Sequence, residues 1–390
     1  MAKHIKYDFI VLGADGIQGR IVSRDLLESG YTVFAADLYR SRLEKLLKKY
    51  KHKIEFSFVD LRDIDMTINV IEKSGAKVVV NCAEGDWDLN VYKACIETKR
   101  HCIDLGSDSK MTKKQLEMSP LFKKIKRTAI TGCGSVPGIG NVMLRYSAKK
   151  FNRIDTIEAG FAWDSNIKKF VVPFSIQSIL EEFTVPAPTI ENRRRVTKSP
   201  LKTITQRYYR SIGYQKSFLV DHAELYTFYH YYKNKGVKNI RFYAGFPDHS
   251  ARIVSTLINL GFSSKKPTEV KGIGFIKAYE LLTQLLKRIK MPKQYREWEN
   301  LWVEIKGVRN GKKKLTILME CLVPTLRGWE DAGCNIDTGM PASIIAQMIK
   351  NREIKKSGSF APEGIVPEKL FFKRLKNKKM LVYENGKLIN

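Results

Sequence analysis

A chain of 390 residues, 43% hydrophobic and 28% charged, has the composition of a globular protein long enough for two domains with separate cores. It holds no apolar run long enough to span a bilayer, and its six cysteines (82, 95, 102, 133, 321 and 334) include no C-x-x-C pair and no partner histidines at metal spacing; this points to reduced thiols in a cytoplasmic protein without a metal site. The net charge of +29 is spread along the chain, as at Lys48-Lys49, Arg193-Arg194-Arg195 and Lys312-Lys313-Lys314, with no nucleic-acid motif beside it, so it reads as a lysine-rich surface that attracts anionic small molecules.

The first elements alternate strand and helix. Tyr7-Asp8-Phe9-Ile10-Val11-Leu12 reads as a buried strand, and the glycine-spaced turn Gly13-Ala14-Asp15-Gly16-Ile17-Gln18-Gly19 follows at once. Ile17, Ile21, Val22, Leu26 and Leu27 then fall at helical spacing up to Gly30, and Thr32-Val33-Phe34-Ala35-Ala36 is a second strand stopping at Asp37. Strand, tight turn, helix, strand and acidic residue is the order of a dinucleotide-binding βαβ unit. Gly13 allows the sharp turn, Gly16 leaves room for a pyrophosphate, and Gly19 lets the helix pack closely. The helix N-terminus offers free N–H groups to the phosphates. Asp37 is placed to accept hydrogen bonds from both adenosine ribose hydroxyls and to repel a 2′-phosphate, which favours NAD; Arg40 and Arg42 lie just beyond and keep NADP possible.

The alternation continues with a helix in 41–50 and the strand Ile54-Glu55-Phe56-Ser57-Phe58-Val59, which ends at Asp60-Leu61, where Asp60 can meet the adenine edge. A helix near Met66–Lys73 leads to the strand Val78-Val79-Val80-Asn81, and Cys82-Ala83 leaves its carboxyl end, the end that lines the cofactor crevice of an open parallel sheet. A helix carrying Leu89, Tyr92, Cys95 and Ile96 follows, then strands His101-Cys102-Ile103-Asp104 and Thr128-Ala129-Ile130-Thr131, a Gly-rich turn at 132–138, and a helix from about Gly140 to Lys150. Residues 1–140 therefore read as an α/β domain with a doubly wound parallel sheet, the Rossmann architecture. Its cofactor candidates are Gly13, Asp15, Gly16, Ile17, Gly19, Asp37, Asp60, Leu61, Asn81, Cys82 and Ala83.

From Thr156 the rhythm changes to short strand-like runs at Thr156–Phe161, Lys169–Phe174, Ile240–Tyr243, Trp302–Ile305 and Leu315–Cys321, with helices at Ala251–Leu260 and Phe275–Ile289. Residues 141–335 read as a central α+β domain with a largely antiparallel sheet. In the last segment, 336–390, Pro341 to Ile349 reads as a helix with its proline in the first turn.

Several stretches together resemble the saccharopine dehydrogenase-like oxidoreductases, with a layout similar to lysine 6-dehydrogenases. They are Val79-Val80-Asn81-Cys82-Ala83 with the run from Lys93 to Leu105, Gly134-Ser135-Val136-Pro137-Gly138-Ile139, Ile240 to His249 with Leu257 to Phe262, and Thr338-Gly339-Met340-Pro341-Ala342-Ser343 with Ala361-Pro362-Glu363. The resemblance implies a central domain that forms a dimer contact, a C-terminal segment that returns to the Rossmann domain, and hydride exchange between a nicotinamide and the amine-bearing carbon of an amino acid such as lysine or saccharopine. The glycine turn is one residue longer than the family's commoner form, and 193–238 shows little to match.

Oxidising a C–N bond requires a neutral amine, hence a group that takes its proton, and a substrate carboxylate requires a cation or free N–H groups to hold it. Asp104 ends a strand beside the nicotinamide position and is one candidate; a capping carboxylate is the equal alternative. Within the matched motifs His249 is the candidate base and Arg241 the candidate carboxylate partner. Ser135, Pro137 and Gly138 form a turn whose amides could hold a carboxylate, and Ser175 and Gln177 are possible pocket residues. His222 and His230, set among aromatics, read as packing residues. Ser135, Tyr146 and Lys150 also follow the spacing of short-chain carbonyl reductases, a rival reading, and a dinucleotide-binding sensor without catalysis is a third.

Overall fold

The computed structural model describes residues 7–171, 176–289, 292, 295–311 and 313–390. The first domain contains β1 (Phe9–Leu12), α1 (Ile17–Glu28), β2 (Val33–Asp37), α2 (Glu44–Lys49), β3 (Ile54–Phe58), α3 (Ile64–Ser74), β4 (Val78–Asn81), α4 (Asp88–Glu97), β5 (His101–Asp104), α5 (Ser109–Glu117), α6 (Ser119–Lys124) and β6 (Thr128–Ile130). The apolar runs of β1 and β4 are buried along their whole length, as central strands covered by helices on both faces must be. All pairings in this sheet are parallel.

The second domain follows through α7 (Ile139–Ala148), β7 (Arg153–Ser165), α8 (Ile176–Thr184), β8 (Ala187–Glu191), β9 (Arg194–Lys198), β10 (Thr205–Tyr209), β11 (Gly213–Leu219), α9 (Glu224–Tyr232), β12 (Asn239–Gly245), α10 (Asp248–Asn259), β13 (Pro267–Val270), β14 (Gly274–Lys277), α11 (Ala278–Leu286), β15 (Glu297–Arg309) and β16 (Lys313–Pro324). The long ribbon of β7, β15 and β16 forms its spine and is antiparallel, whereas β12 pairs with β7 in parallel. β13 and β14 form a separate two-stranded hairpin.

The chain then returns. α12 (Ile336–Lys350) packs on α1, so closely that a Cβ on Gly339 would sit 2.5 Å from Ile21. β17 (Gly358–Phe360) joins β6 as the seventh strand of the parallel sheet, whose order is β17-β6-β5-β4-β1-β2-β3. After α13 (Pro362–Ile365) and α14 (Glu368–Asn377), the hairpin β18 (Leu381–Glu384) and β19 (Lys387–Leu388) extends the second sheet along β16. The last segment therefore completes both sheets.

Three expectations need correction. Pro341 lies inside α12, five residues past its start, because the helix begins at Ile336 under cover of the neighbouring elements and not at the proline. Phe275 to Lys277 are strand; the helix starts only at Ala278. Lys169 to Val171 carry no strand, and the rest of that expected strand lies outside the described residues, as does Ser175.

Candidate active site

The glycine turn after β1 is built by contact. Gly13 has φ +70°, and a Cβ there would lie 2.5 Å from the Ala83 nitrogen, so the turn sits directly on the loop leaving β4. A Cβ on Gly19 would lie 2.0 Å from the Gly13 oxygen, whereas one on Gly16 would meet only that oxygen, at 3.2 Å. Gly16 thus faces open space. No side chain caps α1, and its first amides, at Ile17, Gln18 and Gly19, have no intrahelical acceptor. Free amides beside an open glycine fit a pyrophosphate.

Asp37 ends β2, where its Oδ2 accepts from the Asp15 amide at 2.8 Å and its Oδ1 from the Tyr39 amide at 3.2 Å. The Asp15 carboxylate does not face a ligand; its Oδ1 accepts from the Arg42 and Leu43 amides at 2.7 and 2.8 Å and ties the glycine turn to the loop after β2. Arg20 donates to the Asp15 carbonyl at 2.5 Å. Burial and the neighbouring Arg42 charge lower the Arg20 pKa, and both arginines are tied to Asp15, whose amide bonds Asp37. Asp60 is held by Arg62, with Nε at 2.9 Å from Oδ1, and Leu61 is buried. Asn81 is buried; it donates to Asp88 at 2.7 Å and accepts from the Ala83 amide at 3.2 Å, fixing the Cys82-Ala83 loop.

The candidates for chemistry are not brought together. Asp104 is fully buried and accepts from Tyr92 Oη (3.0 Å), Gln115 Nε2 (2.8 Å), Thr131 Oγ1 (3.0 Å) and the Gly106 and Gly132 amides (2.9 and 3.1 Å). Five donors hold it as a knot between β5, β6, α4 and α5. Arg241 pairs with Glu158 at 3.0 Å and Glu191 at 3.6 Å on the second sheet. His249 lines a separate open pocket of about 340 Å³ with Asp164, Gln206, Lys216 and Arg252. At the turn after β6, the Gly138 amide donates to Asn141 Oδ1 at 2.8 Å, the Ile139 amide to the Gly134 carbonyl and the Gly140 amide to the Ser135 carbonyl. Pro137 has no N–H and the three amides after it are engaged, so the N–H groups of this turn that could meet a carboxylate are those of Ser135 and Val136. Gln177 donates to Glu181 on an exposed stretch of α8. His222 stacks on Phe242 at 4.1 Å, and His230 stacks on Tyr226. Of the Ser135–Tyr146–Lys150 set, the Lys150 ammonium lies 5.0 Å over the Tyr146 ring but binds Glu384 at 2.5 Å, Tyr146 packs on Phe372, and Ser135 faces Thr338 instead.

What does converge on that turn is a group of carboxyls. Ser135 Oγ lies 3.2 Å from Thr338 Oγ1, which donates to Asp337 Oδ1 at 3.0 Å, and the Asp337 and Glu299 side chains are hydrogen-bonded to one another. Two carboxyls bond only when one keeps a proton. Burial pushes Asp337 up to about 7. Burial, then Asp337, raises Glu299, to which Glu297 and Glu182 also contribute. Glu297 is a different case: Trp163 Nε1 and Tyr295 Oη donate to its Oε2 at 2.7 Å each, and the Cys334 amide donates to its Oε1. Tyr279 on α11, which packs against α8, is raised by burial, by Glu181 and by Glu84 of the loop after β4. The sequence carries one signal for this group. Glu297 and Glu299 share a strand face with Leu301, Val303 and Ile305, an apolar face where carboxylates are costly.

Residues 9–130 match the saccharopine dehydrogenase NADP binding domain and residues 108–380 the saccharopine dehydrogenase C-terminal domain. Carboxyaminopropylagmatine dehydrogenase of Synechocystis is 22% identical over 92% of this chain and 93% of its own length. Carboxynorspermidine synthase of Vibrio cholerae is 22% identical over 83% of this chain and 81% of its own. Apo saccharopine dehydrogenase (L-Glu forming) of Saccharomyces cerevisiae has the same fold, with a TM-score of 0.76, 14% identity, and coverage of 98% of this chain and all of that one. The dinucleotide turn, the parallel sheet followed by a largely antiparallel one and both family matches agree: this chain belongs to the saccharopine dehydrogenase family, as an oxidoreductase using NAD(P).

Proposed function

We propose that this oxidoreductase transfers hydride at the amine-bearing carbon of a carboxylated amine, either oxidising a secondary amine or reducing the matching imine. What supports the reading is the buried Asp337 carboxyl, raised by burial and linked through Thr338 to Ser135 in the turn that leaves the nucleotide-binding sheet. Bound NAD(P) supplies the hydride chemistry. The chain's own part is to take the ammonium proton before hydride leaves, or to return it in the opposite direction, and a carboxyl group with its pKa near 7 suits both. The relatives' names, both of carboxylated aminopropyl-type amines, support a secondary amine over free lysine. Arg20 and Arg42, both tied to Asp15 at the glycine turn, support use of NADP as well as NAD. A homodimer working in the cytoplasm goes with this reading, and light scattering of the purified protein checks the assembly.

The test is a titration with NADPH and NADH, followed by nicotinamide absorbance with lysine, saccharopine and carboxylated aminopropyl amines. The reading expects turnover with at least one secondary amine, and a fall of about a hundredfold or more in kcat for Asp337→Asn. Unchanged kcat in that variant would remove that carboxyl from the mechanism, and cofactor binding without turnover on any amine would leave a non-catalytic nucleotide-binding protein.

A further inference from the structure

The parallel sheet has a second edge, opposite the glycine turn. Phe9 is in register with Val78, and Val78 with His101, so β1, β4 and β5 start side by side there. α12 ends at the same edge, where Lys350 pairs with Asp8 at 2.7 Å and Asn351 accepts from Tyr31 Oη at 3.3 Å. An open cavity of about 610 Å³ lies between them. The first domain lines it with Lys77, His101 and Arg127, and the return segment with Lys350, Arg352 and Lys355.

The charge of this cavity is one-sided. Its single carboxylate, Asp8, is already engaged by Lys350 and by Thr32, whose amide and hydroxyl donate to it at 2.9 and 3.0 Å. Among the described residues Lys77, Arg127, Arg352 and Lys355 have no carboxylate partner. Arg127 is also fixed in place. Its Nε donates to the Lys99 carbonyl at 2.7 Å and its Nη1 to the Lys126 carbonyl at 3.0 Å, while its Nη2 has no partner among the described residues. His101 adds a neutral donor: its Nδ1 accepts from the Thr128 amide at 3.0 Å, which leaves the hydrogen on Nε2. Burial, then the Arg127 and Lys77 charges, push this ring down to about 4, so both cations act on it across the cavity. Arg352 stands just past α12 at φ +58°, a left-handed position usually filled by glycine. Like charges on a basic protein lower their energy by spreading apart, whereas here two distant segments bring theirs into one hollow.

We propose that this cavity binds a ligand carrying two or more linked phosphates, at a site separate from the nucleotide crevice. Guanidinium groups hold phosphate oxygens in pairs, and ammonium groups act on them as point charges. The volume is that of a small-molecule site. Several unanswered cations favour a phosphate chain over a single phosphate. Because the basic groups come from both the first domain and the return segment, the ligand bridges the two and reinforces the Lys350–Asp8 contact.

The experiment is calorimetric titration of the full chain loaded with one equivalent of NADPH, whose fluorescence reports that the nucleotide crevice stays filled. The probes are tripolyphosphate, ATP and orthophosphate. One tripolyphosphate should bind per chain, about tenfold or more tighter than orthophosphate. Arg127→Gln combined with Arg352→Gln should weaken it about tenfold or more. Lys313→Gln combined with Lys314→Gln removes the same charge from an exposed stretch of β16 and should change it less than about twofold. Retained NADPH binding shows that both double variants are folded. ATP binding tighter than tripolyphosphate supports a nucleotide as the ligand, and equal or weaker binding supports the phosphate chain alone. No saturable binding, or equal losses in the two double variants, overturns the inference, because the cavity would then be one part of a uniformly basic surface. None of these outcomes depends on the proposed amine chemistry.

Discussion

Glu363, in the return segment, is 2% exposed; Asn141 donates to it at 2.8 Å, and burial pushes it from 4.5 to about 7. The folded state holds this proton more tightly than the unfolded chain, so the contribution to stability is complete below pH 4.5 and is lost as pH rises through 7. At 1.36 kcal/mol per unit this is on the order of 3 kcal/mol. Glu363→Gln, which keeps an acceptor for Asn141, should flatten the fall in thermal stability across that window, a change read by melting at a series of pH values. Asp337 titrates over the same range, so part of the slope should persist. The glycine turn separates binding from stability. Gly19→Ala forces a Cβ to 2.0 Å from a carbonyl oxygen and should cost about 2 kcal/mol as well as cofactor affinity. Gly16→Ala meets only one atom at 3.2 Å, should cost less than about 1 kcal/mol, and should still weaken NADPH binding tenfold by filling the phosphate's space. Equal losses of stability in the two variants would contradict this division.

Among the elements, the hairpin of β13 and β14 stands apart. It pairs with no other strand, Ile273 and Phe275 are more than 70% exposed, and the following α11 buries only Leu282. Trypsin should nick the native protein first at Lys265 or Lys271, and mass spectrometry of early fragments checks it; first cuts within α12 would contradict that order of local stability. The same contrast explains what could be read in advance. β1 is a continuous apolar run between Asp8 and Gly13, and β4 is a run of three valines ending at Asn81, so their pattern survives in the sequence alone. β9 and β10 are edge strands carrying Arg194, Arg195, Lys198, Gln206 and Arg207; they pair in hairpins with β8 and β11, and their polar residues leave no apolar alternation to read. Local spacing likewise shows the glycine turn and Asp37. It does not show Glu299 and Asp337, which come from two elements and meet only in the fold. Nor does it show that Asp104 and Arg241 already have partners.

For the whole molecule, one continuous apolar cluster runs from Phe9 through Ile305 to Val382, so the two domains share a core. Lys378 reaches back to the buried Asp25, and Lys350 to Asp8 at 2.7 Å. Calorimetry should therefore record a single cooperative transition, and a chain cut after residue 335 should lose the first domain's melting transition along with the second's. Two separated transitions in the full chain would contradict the shared core.

β17 pairs with β6 across a sequence gap from Ile130 to Gly358. On a ribosome adding about 5–20 residues per second, that gap keeps the β6 edge waiting for roughly ten to forty-five seconds after it emerges. Through that interval the nascent parallel sheet presents an unpaired rim of backbone donors and acceptors, at the point where another chain's strand would fit. A nucleotide pocket legible in the first forty residues is thus tied to a strand made nearly last, and the protein's demand on chaperones during synthesis follows from that one late pairing.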